Sequence, residues 1–391
     1  PRRMIQAAMR RRILRRLGLG VLAFLALSVL LLAGTHEGRV LARTAALVTE
    51  VLPGVPVRPL QWLSPPAVRE TVAFSYGKTE ARAEVYRPRG PGRYPAFILL
   101  TGVTPNLEDP DLRRLLEGLA RSGLVALLPH SAHMLQGGVT TEDVEAAIGA
   151  FRFLQQQDYV EPRRIGLAGF SVGASVLALA AADERIRDQV AVLNFFGGYY
   201  DAADYVTEVV VNSVTYEGAT RPWSTRPHYV PIIMSLVIST LERPEDRAPL
   251  HRAFVKGEQA PAEEWARLSP EGWRVYEFLA NREPSRAQAL RERLPPSTQQ
   301  ALRALSPSQV ADRLKTRVFI MHDTNDPVIP YEESRRLRDR LATLMPPDQY
   351  ASTEFSIFEH MNPRRPLDPV AFTREAGKLL GHLYRVMLTV M

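Results

Sequence analysis

The stretch that decides the fold reads Arg164-Ile-Gly-Leu-Ala-Gly-Phe-Ser-Val-Gly-Ala-Ser175. The apolar run 165–168 predicts a strand, and the small residues at 174–182 predict a helix. Between them lies a Gly-x-Ser-x-Gly turn with Ser171 at its apex, where glycines on both sides relieve the crowding of a sharp turn. We therefore expect a strand, a turn and a helix that hold the Ser171 hydroxyl clear of the backbone.

Strand-like and helical patterns alternate on both sides of this turn. Two runs at 68–76 and 81–86 predict an antiparallel pair of strands. Later segments predict further strands separated by helices, one of which begins with a capping box at Thr140 and Asp143. This alternation predicts an α/β fold, with a mostly parallel sheet and helices on both of its faces. The predicted strands are 96–100, 124–128, 189–196, 317–321 and 352–358, and the predicted helices are 111–122, 140–151, 331–344 and 371–390.

Composition excludes several classes of protein. The net charge of +7 comes from residues 1–16, which hold seven arginines and no acid, so the remaining chain has 42 basic and 42 acidic residues. A balanced body of this kind predicts no nucleic-acid binding. The absence of cysteine excludes disulfides, thiolate metal sites and a cysteine nucleophile. The eight histidines form no close metal-ligand motif, so we expect neither a metal nor an organic cofactor.

The arginine-rich tail precedes eighteen uncharged residues, 17–34, which reach the lower end of the length that spans a bilayer. Seven arginines before this segment and two soon after it, Arg39 and Arg43, place the N-terminus in the cytoplasm. We therefore expect a single-pass membrane protein whose domain after this segment is extracytoplasmic. The alternative is a cleaved signal peptide and a secreted protein, although no clean A-x-A site follows the segment.

The chain divides by pattern into six parts. Within the fifth part, residues 230–241 are largely apolar but too short to span a membrane, which predicts a buried helix or, alternatively, a lid helix that touches a membrane. The parts are a basic cytoplasmic tail (1–16), a transmembrane signal anchor (17–34), a stalk or linker (35–66), the first part of the core (67–200), a helical cap insertion (201–309) and the second part of the core (310–391).

A serine hydroxyl becomes a good nucleophile only when a base takes its proton and a carboxylate orients that base. Loops after later strands offer both groups, in the order Ser171, Asp326 and His360. Asp323 is an alternative acid after the same strand, and Asp201 or Asp204 would serve if the acid followed the preceding strand.

Other candidates also follow predicted strands. We expect His130 and His133 to be structural or to line the substrate pocket. Tyr199 and Tyr200 are candidates for the pocket lining or for the core.

These segments carry a resemblance to a known family. Gly169-Phe-Ser-Val-Gly173, His322-Asp-Thr-Asn-Asp326-Pro-Val-Ile-Pro330 and Glu359-His360 resemble the nucleophile, acid and histidine segments of α/β-hydrolases. The likeness is to the serine esterase and dienelactone-hydrolase-like branch, over roughly 67–200 and 310–391. It implies Ser171 as nucleophile, His360 as general base and then acid, and Asp326 as the group that orients it. Dienelactone hydrolases proper use a cysteine at the turn, so their substrate is not implied for this chain.

An acyl-transfer site also needs two backbone N–H donors for the developing oxyanion. We expect one from Val172, which follows the nucleophile at a helix N-terminus. By the resemblance, Val103 supplies the other, because Thr101-Gly102-Val103 stands where many family members carry His-Gly-x.

The sequence thus predicts a membrane-anchored serine hydrolase that cleaves a carboxylic ester through a Ser-His-Asp acyl-enzyme mechanism. Its expected partners are a small-molecule ester and, through the N-terminal helix, a membrane. Two alternatives stay open: a peptidase or amidase with the same triad, and a catalytically silent α/β-hydrolase scaffold that acts as a binding protein.

Overall fold

The computed structural model describes residues 34–52, 55–360 and 367–391. In this part of the chain a single eight-stranded sheet carries the fold, in the order β1-β2-β4-β3-β5-β6-β9-β10, and β7 and β8 form a separate two-stranded hairpin. The strands are β1 Val68–Tyr76, β2 Thr79–Arg87, β3 Tyr94–Leu100, β4 Val125–His130, β5 Val160–Phe170, β6 Val190–Phe196, β7 Ser213–Tyr216, β8 Ala219–Pro222, β9 Arg317–Asp323 and β10 Tyr350–Phe355.

Helices occupy both faces of this sheet and most of the segment between β6 and β9. Short irregular helices add a π-helical turn at Arg252–Lys256 and 3₁₀ turns at Pro307–Gln309 and Ala311–Arg313. The α-helices are α1 His36–Val51, α2 Pro59–Leu63, α3 Pro110–Arg121, α4 Ala132–Leu135, α5 Thr141–Gln155, α6 Val172–Ala181, α7 Ala202–Val211, α8 Val230–Ser239, α9 Pro244–His251, α10 Ala262–Ala266, α11 Pro270–Ala280, α12 Pro284–Glu292, α13 Pro296–Ala304, α14 Glu332–Leu344 and α15 Pro369–Val390.

The mostly parallel sheet predicted from the sequence is confirmed. β1 pairs with β2 and β2 with β4 in antiparallel fashion, whereas every neighbour from β4 to β10 is parallel. The capping box at Thr140 and Asp143 begins α5 as expected. Parallel strands end at one edge of the sheet, so the loops after β3, β5, β6, β9 and β10 meet there.

The segment predicted as a stalk, 35–66, contains α1, which packs onto the body of the protein. Val40 and Leu47 of α1 are each 2% exposed, and the helix lies against α3 and α15. An amphipathic helix of 16 residues has an apolar face that must be covered, and here α3 and α15 cover it. Residues 36–51 therefore belong to the folded core rather than to an extended linker.

The expected transmembrane segment falls largely outside the described residues, since only Gly34 of 17–34 is described. Among the helices that are described, none combines the length and the apolar character needed to cross a bilayer.

The segment predicted as a cap, 201–309, is mostly helical but also holds the β7–β8 hairpin, which the sequence reading missed. Its turn residues Glu217 and Gly218 both have positive φ, 49° and 79°, which a two-residue hairpin turn demands. The apolar run 230–241 forms α8, and its Ile233 and Val237 side chains are buried. The interpretation of this run as a buried helix agrees with the structure.

Candidate active site

Ser171 lies at the apex of the sharp turn between β5 and α6. Its φ and ψ are 55° and −135°, a backbone region that a non-glycine residue occupies only under strain. The turn is held by Ser171 N–H, which donates to Phe196 O over 2.8 Å, and by Ala174 N–H, which donates to Ser171 O over 2.9 Å. The expected strand, turn and helix around Ser171 are therefore present.

The two glycines that flank the turn are required by close approach. A Cβ on Gly169 would lie 2.2 Å from Cα of Ala174, and one on Gly173 would lie 2.3 Å from the carbonyl oxygen of Leu100. Both distances fall far inside van der Waals contact with backbone atoms, which cannot move aside. The Gly-x-Ser-x-Gly pattern is thus explained by the packing of α6 against β5 and β3.

Asp326 follows β9 and is fully enclosed, with its carboxylate accepting hydrogen bonds on both oxygens. Oδ1 accepts from the backbone N–H groups of Val328 (2.7 Å) and Ile329 (3.0 Å). Oδ2 lies 2.6 Å from His360 Nδ1 and 3.3 Å from His322 Nε2. Burial alone would raise the pKa of Asp326, but the two facing histidines lower it below its ordinary value. The carboxylate is therefore ionised at neutral pH.

His360 follows β10 and is 5% exposed. Since the ionised Asp326 can only accept, the short contact makes His360 Nδ1 the donor and leaves Nε2 as the basic nitrogen. This is the tautomer that a general base for a serine hydroxyl requires. His360 has a positive φ of 63°, which indicates that the loop is constrained around it.

A cavity of about 370 Å³ brings the predicted groups together, since its lining includes Ser171, His360, Val172 and Val103. Asp326 is not part of the lining and contacts His360 from behind. The structure thus brings to one place the three side chains and the two residues expected as backbone donors, which come from four separate segments of the sequence.

The two expected oxyanion donors flank the nucleophile. Val172 is the first residue of α6, so its N–H has no partner within the helix. The loop after β3 lies directly against the nucleophile, because a Cβ on Gly102 would lie 3.0 Å from both Cβ and Oγ of Ser171. Thr104 anchors this loop by donating its N–H to Met134 O over 2.7 Å. Val103 is therefore held beside Ser171.

The alternative acids have structural partners. Asp323 accepts from the backbone N–H of Asn325 (2.8 Å) and of Phe358 (2.7 Å), and burial raises the pKa of its carboxyl. Asp201 caps α7, and Asp204 forms an ion pair with Arg291. The carboxylates of all three have these other partners, whereas Asp326 Oδ2 lies 2.6 Å from His360 Nδ1, so the geometry favours Asp326.

Of the other histidine and tyrosine candidates, only Tyr199 lines the cavity. His130 and His133 do not line the cavity, and burial lowers the pKa of His130. Tyr199 does line the cavity, stacked on Tyr205 with ring centroids 5.6 Å apart. Tyr200 is outside the lining and packs at the edge of the core.

His322 is a functional candidate whose role the sequence pattern did not reveal. Its Nε2 faces two acceptors, Ile329 O at 3.0 Å and Asp326 Oδ2 at 3.3 Å, so Nε2 carries the proton. Nδ1 then accepts from the hydroxyl of Ser334 over 2.7 Å. The i, i+4 spacing of His322 and Asp326 around the end of a strand was the only signal available in the sequence.

The cap segment is tied to the acid loop. Trp223 Nε1 donates to Asp326 O over 3.2 Å, and the Tyr205 hydroxyl donates to Val328 O over 3.0 Å. Arg226 forms an ion pair with Glu359, the neighbour of His360, over 3.1 Å. Cap helix α8 contributes Ile232 to the cavity wall. The cap therefore both shapes the cavity and supports the loops that carry Asp326 and His360.

Comparisons with known proteins yield several hydrolases. No family model matches the chain. A curated protein from Bradyrhizobium sp., named probable 2-oxo-3-(5-oxofuran-2-ylidene)propanoate lactonase, is 30% identical over 162 residues, which are 35% of this chain and 59% of that protein. The match thus spans less than two thirds of the relative's own length.

Solved structures with a similar course of the chain share low sequence identity with it. The 2,6-dihydroxy-pseudo-oxynicotine hydrolase is 18% identical, with a TM-score of 0.43 over 83% of this chain and 70% of that one. A puromycin-hydrolyzing peptidase of Mycobacterium tuberculosis is 19% identical, with a TM-score of 0.45 over 85% of this chain and 39% of that one.

Proposed function

The chain is an α/β-hydrolase by its fold, and on that basis we propose that it is a serine hydrolase that cleaves carboxylic esters. The observation that carries the proposal is the hydrogen bond of 2.6 Å between His360 Nδ1 and Asp326 Oδ2, with His360 on the same cavity as the strained Ser171. An ionised buried carboxylate behind a histidine is the arrangement that makes a serine hydroxyl nucleophilic.

The proposed reaction has two half-reactions. The Ser171 Oγ attacks the ester carbonyl carbon while its proton passes to His360 Nε2, and the backbone N–H groups of Val172 and Val103 stabilise the oxyanion. The tetrahedral intermediate then expels the alcohol, which takes the proton from His360. Water repeats the sequence on the acyl-enzyme, with His360 again as base, and releases the carboxylic acid and free Ser171. Asp326 stays ionised throughout and stabilises the imidazolium.

Ester cleavage is preferred over amide cleavage on one further point. The Bradyrhizobium relative is named a lactonase, and a lactone is a cyclic ester. Peptide amides are the competing substrates in the test, because the same triad can cleave amides.

The decisive experiment is labelling with a fluorophosphonate probe. The parent protein should take the label, and Ser171→Ala should not, whereas the exposed Ser352→Ala should label like the parent. Failure of the folded parent to label would remove the enzymatic proposal and favour the silent scaffold. Rates on p-nitrophenyl esters and on matched p-nitroanilides then separate esterase from peptidase, and faster anilide cleavage would contradict the ester proposal.

The membrane anchor is a separate part of the proposal. It is supported by the uncharged segment 17–34 and by the arginines of 1–16 that precede it. We expect the full chain to sediment with membranes and to resist extraction by carbonate, with a protease-accessible catalytic domain on the extracytoplasmic side. A mature protein that starts beyond Gly34 in mass spectrometry would show a cleaved signal peptide instead.

A further inference from the structure

The cavity beside Ser171 extends beyond the catalytic residues along one face of the sheet. Its lining includes Leu99 of β3 and Ala168 and Phe170 of β5. Across from them it includes Leu47 of α1, Leu115 of α3 and Leu383 of α15. We call this region, bounded by these six residues, the inner lobe. It lies between the sheet and the three helices, on the side of the core that α1 helps to close.

The inner lobe is open space at the centre of the fold. β5 is a central strand, paired by β3 and by β6, and helices cover both faces of the sheet, so the side chains in its C-terminal half should be buried. Leu167, which points to the opposite face, is indeed 0% exposed. Ala168 and Phe170, however, are only partly buried. Because alternate residues of a strand point to opposite faces, the accessible surface of Ala168 and Phe170 faces the inner lobe.

The inner lobe offers nothing to a charged ligand. Its six defining side chains are all apolar. The buried amide of Asn194 in the cavity wall already has partners: its Oδ1 accepts from His382 Nε2 over 2.8 Å, and its Nδ2 donates to Met321 Sδ over 3.8 Å. The charged residues of the cavity wall are Asp109, Asp111 and Arg114, from the beginning of α3. A site of this composition binds hydrocarbon, because a polar group placed there would lose its hydration without gaining a partner.

We propose that the inner lobe binds the acyl chain of the substrate, and that this chain is linear, apolar and longer than an acetyl group; the proposal rests on the proposed function. The lobe and Ser171 share one cavity of about 370 Å³, within the usual range for small-molecule sites of about 300–1,000 Å³. The alcohol leaves first, whereas the acyl group stays bound to Ser171 until water arrives. The lobe is enclosed by the sheet and by α1, α3 and α15, so it can hold the acyl group while that group remains bound to Ser171.

Chain length is therefore the first variable to test. With p-nitrophenyl esters from acetate to decanoate, kcat/KM should rise by about fourfold for each added methylene until the lobe is full. A flat or falling series in an active enzyme would overturn the proposal. A rise seen only with acetate esters of longer alcohols would also overturn it, because the lobe would then hold the leaving group.

Two substitutions that fill the lobe locate the effect. Ala168→Leu adds volume from the sheet side and Leu383→Phe from α15. Each should lower the ratio of kcat/KM for decanoate over acetate by about fifteenfold, the loss of roughly two methylene contacts. The matched control is Leu388→Phe, on the same helix and equally partly buried but outside the cavity lining, which should leave the ratio unchanged. An unchanged ratio in both lobe variants would overturn the assignment.

A binding measurement separates this proposal from the catalytic one. Ser171→Ala cannot form an acyl-enzyme, but it should bind sodium decanoate with a negative heat-capacity change in calorimetry, and Ala168→Leu in that background should weaken the binding. Absence of fluorophosphonate labelling and of ester hydrolysis would remove the proposed function. Labelling and acetate hydrolysis without decanoate binding would remove only the acyl-chain lobe.

Discussion

The carboxylate of Asp326 accepts a hydrogen bond of 2.6 Å from His360 Nδ1, and this contact fixes which nitrogen of the histidine faces the cavity as a base. Asp326→Asn would keep the shape of the side chain but remove the charge and favour the wrong tautomer. We expect kcat to fall by about 10³- to 10⁴-fold with KM little changed. Steady-state kinetics on a p-nitrophenyl ester measure this. Asp204→Asn serves as the control, and an equal loss there would contradict the assignment of the acid.

The loop after β3 leaves little room for a side chain beside the nucleophile. Gly102→Ala would place a Cβ 3.0 Å from Ser171 Oγ and displace either the hydroxyl or the Val103 N–H. We expect a drop in kcat of about 10²-fold, of the size seen when one oxyanion donor is lost, with a nearly unchanged free energy of unfolding.

Gly377→Ala is the matched control for that change. Gly377 lies within α15, and a Cβ there meets nothing within 4 Å. The substitution should leave activity unchanged and stabilise the fold by about 0.5–1 kcal/mol. A comparable loss of activity in both variants would show that the effect of Gly102→Ala is not local.

Ser334 positions His322, and through it Asp326. Ser334→Ala leaves Nδ1 of the buried His322 without its donor, which should cost about 1–3 kcal/mol in the free energy of unfolding. We also expect a lower kcat at constant KM, since Asp326 would be held less firmly. Ser352→Ala, at an exposed position of β10, should change stability by less than about 0.5 kcal/mol. Denaturant titration and kinetics on the two variants test the difference.

His382 predicts how stability depends on pH. Burial lowers the pKa of His382 from 6.5 to about 3, with a smaller effect of Arg385 in the same direction. Below pH 6.5 the imidazole of His382 is therefore protonated in the unfolded chain but stays neutral in the folded chain. Protonation thus favours the unfolded state, and the free energy of unfolding falls as the pH decreases from 6.5 towards 3. The share of His382 is about 1.4 kcal/mol per pH unit in that window.

The measurement is the free energy of unfolding between pH 7 and pH 5 for the parent and for His382→Gln. The free energy of unfolding should fall less steeply with decreasing pH in the variant, because the titrating imidazole is absent. This holds even if the variant is less stable than the parent at every pH. A decline of equal slope in both proteins would mean that His382 does not carry the effect.

Local chemistry made much of the fold predictable. Apolar runs bounded by turns mark β3, β4 and β6, and the Thr140–Asp143 capping box marks the start of α5, because these signals act between near neighbours in the chain. Contacts distant in sequence were less visible. The sequence of α1 was also compatible with a helix in a stalk. Its apolar face packs on α15, which lies more than 300 residues away in the chain, so no local pattern indicated this contact.

The Ser171 turn shows what the sequence by itself determined. Glycines two residues on either side of the serine are demanded by backbone atoms a little over 2 Å from where their side chains would be, so the pattern specifies the turn locally. Which carboxylate completes the site was a different question. Asp323 and Asp326 are three residues apart, and only the tertiary structure turns Asp323 towards the backbone of Phe358 and Asp326 towards His360. The inner lobe could not be predicted from the sequence either. An empty volume between a sheet and three helices depends on the packing of side chains that are distant in sequence, and no local sequence pattern indicates it.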